Sequence, residues 1–254
     1  MKLPHTPSFR LDGRRALVIG ASRGIGLGCA MALAEAGAHV ICAARGREAL
    51  DETVSAMKGE SLSVEALMLD ITDLDALAAA MRDIASLDIF VNSAGTARHA
   101  PALETTPEDY DAVMDANVRA AHFASREAAR LMVAGGKGGS IINISSQMGH
   151  VGGIDRTVYA ASKHAIEGMT KSMAIEWGEH CIRVNTICPT FIRTPLTEPT
   201  FADPERVEWI RSKIKLGRVG EIEDIMGAVL FLASDASALV TGASILVDGG
   251  WTAG

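Results

Sequence analysis

At 254 residues the chain exceeds a typical domain, yet single α/β domains of this size are ordinary, so its length does not demand two cores. A composition of 48% hydrophobic and 22% charged residues belongs to a globular rather than a disordered chain. A net charge of -7 speaks against a nucleic-acid partner, which needs a clustered Lys/Arg footprint to displace counterions from phosphates.

From the N-terminus, Met1 to Arg15 mixes Pro, His and Arg and lacks the continuous apolar segment of a secretory signal. Short Val/Ile-rich runs then alternate with longer segments of helical period, the pattern of a parallel sheet with crossover helices on both faces. The strands expected are Ala16 to Gly20, Ala38 to Ala44, Ser63 to Leu69, Asp88 to Asn92, Ser140 to Ser145, Ile182 to Cys188 and Ser244 to Val247. Between them, helices are expected over Gly24 to Glu35, Arg47 to Met57, Leu74 to Ala85, Pro107 to Val133, Arg156 to Trp177 and Ile222 to Ala233. From Thr194 to Leu216 the pattern breaks. Pro195, Pro199 and Pro204 punctuate a stretch of mixed polarity that reads as an irregular substrate loop, about 194–216.

No internal repeat or Pro/Gly/Ser-rich linker divides the chain, so residues 1–254 are read as one α/β domain of the Rossmann type, a doubly wound seven-stranded parallel sheet. The longest uncharged apolar stretches fall short of the about 20 residues that cross a bilayer, so no membrane span is expected and the chain is read as cytoplasmic. Cys29, Cys42, Cys181 and Cys188 form no Cys-x-x-Cys pair and have no histidines at ligand spacing, so they are read as buried free thiols with no metal.

The first expected strand runs into Gly20-Ala21-Ser22-Arg23-Gly24-Ile25-Gly26, which opens a helix. Glycines fall where a chain must turn tightly and approach a diphosphate, with backbone N–H groups and the helix N-terminus holding the anion. The spacing is Gly-x-x-x-Gly-x-Gly rather than the commonest dinucleotide fingerprint. Where an enzyme of NAD would place a carboxylate at the end of the second strand, the sequence has Arg45. With Arg23, its planar guanidinium suits a ribose 2′-phosphate, which favours NADP and leaves NAD as the alternative. Asp70-Ile71 and Asn92-Ser93-Ala94-Gly95 end the third and fourth strands, at the crevice edge where an open α/β sheet binds its ligand.

Tyr159 and Lys163 lie four residues apart in Tyr-Ala-Ala-Ser-Lys, on one face of a helix. A phenol ordinarily ionises near about 10, so acid–base work near neutral pH requires roughly 4 kcal/mol of preferential stabilisation of the phenolate. A fixed ammonium beside it has the right sign, as would an oxidised nicotinamide. Ser146, at the end of the fifth strand, can donate to a substrate oxygen.

In order and spacing, Gly20-x-x-x-Gly24-x-Gly26, Asn92-Ser93-Ala94-Gly95, Asn117, Ser146, Tyr159-x-x-x-Lys163 and Pro189-Thr190-Phe191-Ile192-Arg193-Thr194 resemble the short-chain dehydrogenase/reductase family, over about Leu11 to Gly250. The resemblance implies Tyr159 as proton donor or acceptor, Lys163 on the nicotinamide ribose, Ser146 on the substrate oxygen, and Asn117 ordering a water that relays protons through Lys163. It further implies that Pro189, Ile192 and Thr194 grip the nicotinamide carboxamide, and that Asp248-Gly249-Gly250 ends the chain near the interface of a homotetramer. Two departures stand out: Ser93 where the family often has a second Asn, and Thr190 in place of the Gly usual after Pro189.

For the substrate, the pocket is expected to use Gln147, Met148, His150, Val151, Phe191, Arg98, His99 and the loop from Pro195 to Ile214. Its polar and basic groups suit a small hydroxylated or carboxylated carbonyl or alcohol, and the whole sequence looks similar to family members acting on sugar acids, polyols or sugars. A reductase of 3-oxoacyl thioesters and a dinucleotide-sensing binding protein on the same fold are the alternatives. The intact Asn117, Ser146, Tyr159, Lys163 set counts against the sensor.

Overall fold

The computed structural model describes residues 1 and 3–254. Seven strands, β1 (Arg15–Ile19), β2 (His39–Ala44), β3 (Val64–Met68), β4 (Ile89–Asn92), β5 (Gly139–Ile144), β6 (Ile182–Pro189) and β7 (Ser244–Val247), pair in parallel in the order β3-β2-β1-β4-β5-β6-β7. Successive residues of a strand point to opposite faces, and both faces here are covered. Ala16 and Val18 of β1 enter one apolar cluster, with side chains of helices α1 (Gly24–Glu35) and α2 (Arg47–Gly59). Leu17 and Ile19 enter the other, against α3 (Leu74–Arg82). The central, doubly covered strands therefore read as apolar runs rather than alternation, whereas the edge strands β3 and β7 leave Met68 and Leu246 exposed.

After β3 the chain returns across the sheet to place β4 on the other side of β1, Ala16 opposite both Val40 and Ile89. That reversal leaves a crevice beyond the carboxyl ends of β1 and β4, into which the turns after both strands open.

The expected long helix from Pro107 is three pieces. Helix α4 (Pro107–Met114) starts on a Thr106 side chain that accepts from the Asp109 N–H at 3.1 Å, with Pro107 in the first turn. A π-helical turn over Asp115–Arg119 follows, and α5 (Ala120–Gly135) runs on to Gly136, whose left-handed φ of 66° ends it. Helix α6 (Thr157–Trp177) lies along β6.

The stretch read as an irregular loop over 194–216 contains helices α7 (Glu198–Phe201) and α8 (Pro204–Lys213). The Asp203 carboxylate accepts from the N–H groups of Glu205 and Arg206, and Pro204 fills the first helical position. This start signal was present in the sequence, but the weak amphipathicity of Pro204–Lys213 hid it, since Ile210 is its buried residue. Ile210, Ile214 and Val219 form a small separate cluster with Phe191, Phe201 and Trp251. Helix α9 (Glu223–Ala233) then packs on α1. Cys181 departs from expectation, being exposed in a left-handed turn at φ 57°, whereas the other three thiols are buried.

One buried polar knot joins α6 to the sheet. The Glu167 carboxylate of α6 accepts from the Thr186 hydroxyl of β6 at 3.0 Å, from the Ser244 hydroxyl of β7, and from the Cys188 thiol of β6 at 3.4 Å. Burial, then the charge of Glu167, pushes that thiol up to about 12, so it stays protonated and donates. His150 Nε2 completes the knot, 3.4 Å from Cys188 Sγ and 3.7 Å from the carboxylate. Glu167→Ala leaves these donors without an acceptor in a dry site and is expected to lower stability by about 2–4 kcal/mol in urea melts, with Glu167→Gln losing less. Equal midpoints for wild type and Glu167→Ala would contradict this role.

Candidate active site

A cleft of about 1010 Å³ opens at the carboxyl edge of the sheet. The expected residues of the glycine turn, Gly20, Ser22, Arg23, Gly24, Ile25 and Gly26, line it. So do Arg45, Asp70, Ile71, Ala94 and Gly95 from the following strand ends, Ser146, Tyr159 and Lys163 from the chemical centre, and Pro189, Ile192 and Thr194 after β6. Asn92 and Asn117 are brought to the same region but stand behind the wall.

The glycine turn fits a diphosphate by space and by charge. A Cβ on Gly26 would run into the backbone carbonyl of Gly20, so the turn closes only without a side chain. Helix α1 begins with no side chain capping its first turn, so its unpaired N–H groups face the cleft as anion donors. On the rim, Arg45 Nη1 lies 3.8 Å from Asp70 Oδ2 with both side chains well exposed. An exposed pair of this kind contributes little and leaves the guanidinium able to turn to a phosphate. Burial pushes the Asp70 carboxyl up, but donation from the Thr72 N–H and hydroxyl, then the charge of Arg45, outweighs it and holds the group below its usual range.

Tyr159 and Lys163 sit one turn apart on α6, with the Lys163 ammonium 5.6 Å from the Tyr159 ring centre. Lys163 is buried, and its Nζ donates to the Ile144 carbonyl at the end of β5 at 2.9 Å. Two residues on, Ser146 accepts from the Met148 N–H at 3.1 Å, which fixes its oxygen at the strand end beside the cleft.

Asn117 lies in the π turn. Its Oδ1 accepts from the Thr96 N–H at 2.8 Å, and its Nδ2 donates to the Thr96 carbonyl at 2.9 Å and the Ser162 hydroxyl at 3.0 Å. The side chain is thus spent on tying the loop after β4 to α6. Asn92 serves its own loop, its Oδ1 accepting from the Ala94 N–H at 3.2 Å.

The expected substrate wall is divided. Arg98 and Pro195 to Thr197 line this cleft, whereas His99, Gln147, Met148, His150, Val151, Phe191 and the rest of the loop to Ile214 lie outside its lining. Gln147 and Met148 are buried beneath it, His150 turns into the knot on Glu167, and Phe191 packs against Trp251 with ring centres 5.8 Å apart. Thr190, the departure after Pro189, lines the cleft with its buried Oγ1 unpartnered among the described residues. His99 stands edge-on to Tyr159, ring centres 5.8 Å apart at 84°. Sequence reasoning missed Arg156, which is buried one turn before Tyr159. Its distance in sequence from Tyr159 was the available signal.

A doubly wound sheet whose switch-point crevice holds an anion cradle and a Tyr/Lys/Ser centre defines a nucleotide-dependent oxidoreductase. Comparison with known proteins makes this specific: residues 20–252 match the family model described as enoyl-(acyl carrier protein) reductase, and the chain belongs to the short-chain dehydrogenase/reductase family. It is 40% identical to gluconate 5-dehydrogenase of Gluconobacter oxydans, over 98% of this chain and 99% of that one. It is also 40% identical to L-xylulose reductase of Bos taurus, over 96% and 99%. Among solved structures, a gluconate 5-dehydrogenase from Burkholderia cenocepacia in complex with NADP and tartrate superposes with a TM-score of 0.93, at 35% identity over 97% and 98% of the two chains. No helix among the described residues is long and apolar enough to cross a membrane.

Burial, then the charges of Arg156 and Arg206, pushes His99 down to about 4. The ring is therefore neutral at physiological pH. A folded value below the unfolded one makes its share of stability complete above about 6.5 and progressively lost as pH falls towards about 4. An NMR titration is expected to place the His99 midpoint near pH 4, and Arg206→Ala to raise it. An ordinary midpoint in the wild type would refute this arrangement.

Proposed function

We propose that the protein is an NADP-dependent dehydrogenase/reductase acting on a secondary alcohol or carbonyl of a sugar acid, sugar or polyol. The observation that carries the reading is the joint placement of Ser146, Tyr159 and Lys163 on one cleft with the cradle before α1 and Arg45 on its rim. The relatives named above, and the NADP in one solved relative, support the choice of substrate class and cofactor. Gly20 and Ser22 to Gly26 hold the diphosphate, Arg23 and Arg45 the 2′-phosphate, and Asp70, Ile71, Ala94 and Gly95 border the adenosine half. Pro189, Ile192 and Thr194 hold the nicotinamide end.

When bound, the nicotinamide supplies the hydride in reduction and takes it up in oxidation. Ser146 donates to the substrate oxygen and fixes the carbonyl. Tyr159 gives that oxygen its proton in reduction and removes it in oxidation. Lys163, held by the Ile144 carbonyl one turn from Tyr159, donates to the nicotinamide ribose. Asn117 acts as a positioning residue: with its amide committed to Thr96 and Ser162, it sets the π turn beside Lys163, where a water relay would run. A cytoplasmic homotetramer completes the reading, in which the exposed Ile175 on α6 and Leu246 on the edge strand β7 are apolar surface that a subunit interface would cover.

The test is to supply purified protein with NADPH or NADP and a panel of keto-sugar acids, ketoses, polyols and 3-oxoacyl thioesters, following absorbance of the reduced cofactor. Turnover of the sugar-type substrates is expected, and turnover of thioesters alone would replace the reading. Tyr159→Phe is expected to lower kcat by about 10²–10⁴-fold, the usual weight of a positioned acid–base. Arg45→Ala is expected to weaken NADPH about tenfold while changing NADH little, measured by titration of cofactor fluorescence. An unchanged NADPH affinity would remove Arg45 from the phosphate site.

A further inference from the structure

Arg156 stands at the N-terminal boundary of α6, three residues before Tyr159, so its side chain starts within about one helical turn of the Tyr159 side chain. Only 6% of its surface is exposed, and its buried Nη1 has no hydrogen-bond partner among the described residues. A buried guanidinium without an acceptor is costly, because the charge has left water and nothing has replaced the lost hydrogen bonds. The turn before it bears Asp155 in a left-handed backbone at φ 58°. That carboxylate acts on Arg156, yet more weakly than do burial and the charge of a second cation, Arg206.

Arg206 comes from a different element, the exposed first turn of α8, beyond the Pro195–Thr197 segment that lines the cleft. His99 packs edge-on against Tyr159 and is acted on by both guanidinium charges, so both arginines lie near the ring that borders the reacting centre. Two elements thus bring two cations to the neighbourhood of His99 and Tyr159. Like charges gathered in a partly dry site repel each other unless an anion joins them. The diphosphate cradle and Arg45 already account for the anions of the nucleotide, so the second pair calls for one on the substrate.

We infer that Arg156, assisted by Arg206, is the carboxylate-recognition site of the substrate pocket and selects a hydroxylated or keto acid over the neutral sugar of the same length. The inference rests on the proposed sugar-type substrate class and narrows it to the acids. The planar fork of Arg156 accepts a carboxylate through two parallel hydrogen bonds, and the bound anion offsets the Arg156–Arg206 repulsion. A neutral polyol offers hydroxyls, which neither pair as two-pronged acceptors nor neutralise the cations.

The experiment compares D-gluconate with D-glucitol, which differ in that one carries a carboxylate where the other has a hydroxymethyl group. Each is titrated into the protein saturated with NADPH, a combination that cannot react forward, and binding is read by calorimetry. Wild type is expected to hold gluconate at least tenfold more tightly than glucitol. Arg156→Met is expected to bring the ratio to within about twofold, and Arg206→Ala to reduce it at least threefold. A wild type without preference for gluconate, or a ratio that survives Arg156→Met, overturns the inference. Should Arg156→Met fail to fold, judged by its melting and NADPH binding, the surface variant Arg206→Ala decides: an unreduced ratio overturns the inference. Because binding requires no turnover, absence of NADPH oxidation across the substrate panel would sink the proposed reaction while leaving the carboxylate preference to be read independently.

Discussion

The seating of α6 on the carboxyl ends of β5 and β6 is the constraint on which the rest of the centre depends. Two charged side chains of this helix, Lys163 and Glu167, are buried, and each is anchored in the sheet. Lys163 reaches the Ile144 carbonyl of β5, and one turn on, Glu167 collects hydroxyls from β6 and β7. A buried ion is tolerated only where its hydrogen bonds are replaced, so these contacts fix the rotation of α6 about its axis and its height above the sheet. A small rotation would unpair both charges together. Tyr159 inherits its direction from that fixed rotation, and the proton-handling position beside Ser146 is set by a structural requirement that acts further along the helix.

The loop after β4 is held to the same helix by a different device. The π turn over Asp115–Arg119 inserts an extra residue into what would otherwise be an uninterrupted helix, and thereby turns the Asn117 amide to Thr96 and Ser162. Ser162 in turn donates to the Tyr159 carbonyl at 2.7 Å. Loop, π turn and α6 thus form one hydrogen-bonded unit with Tyr159 inside it. The wall of the cleft at Thr96 and the acid–base group cannot move independently.

Most of the fold was legible because both sheet faces are covered, which writes the central strands as apolar runs and each crossover as a helical period. The glycine turn was legible for a similar reason: Gly26 leaves no room for a side chain, a constraint visible as a residue type. What the sequence hid depends on where side chains point after the chain has closed. His150 looked like a pocket residue by position, yet Glu167 and Cys188, remote in sequence, turn it into the interior. The π turn has no clear periodic signature, because the helix before it is short and the alanines that fill the helix after it mark neither face sharply. Helix α8 had a start signal at Asp203-Pro204 but buries little through its own face, so its pattern stayed weak.

Arg156 follows the same logic from the other side. As a residue before a helix it resembles any solvated arginine, and only burial reveals a cation that the fold leaves unsatisfied. The chain as a whole carries a charge of -7, yet Arg23 and Arg45 line the cleft at its nucleotide end, and Arg156 and Arg206 act on His99 beside Tyr159. A chain of negative net charge directs an anion inwards only where its cations lie, since screening removes guidance beyond about 8–10 Å. Two separated cationic ends also set direction: a molecule anchored by its phosphates at one end and another held by its carboxylate at the other meet between them, beside Tyr159. Keeping His99 neutral in that gap prevents a third positive charge from competing for the substrate anion, and leaves an apolar edge against the phenol ring.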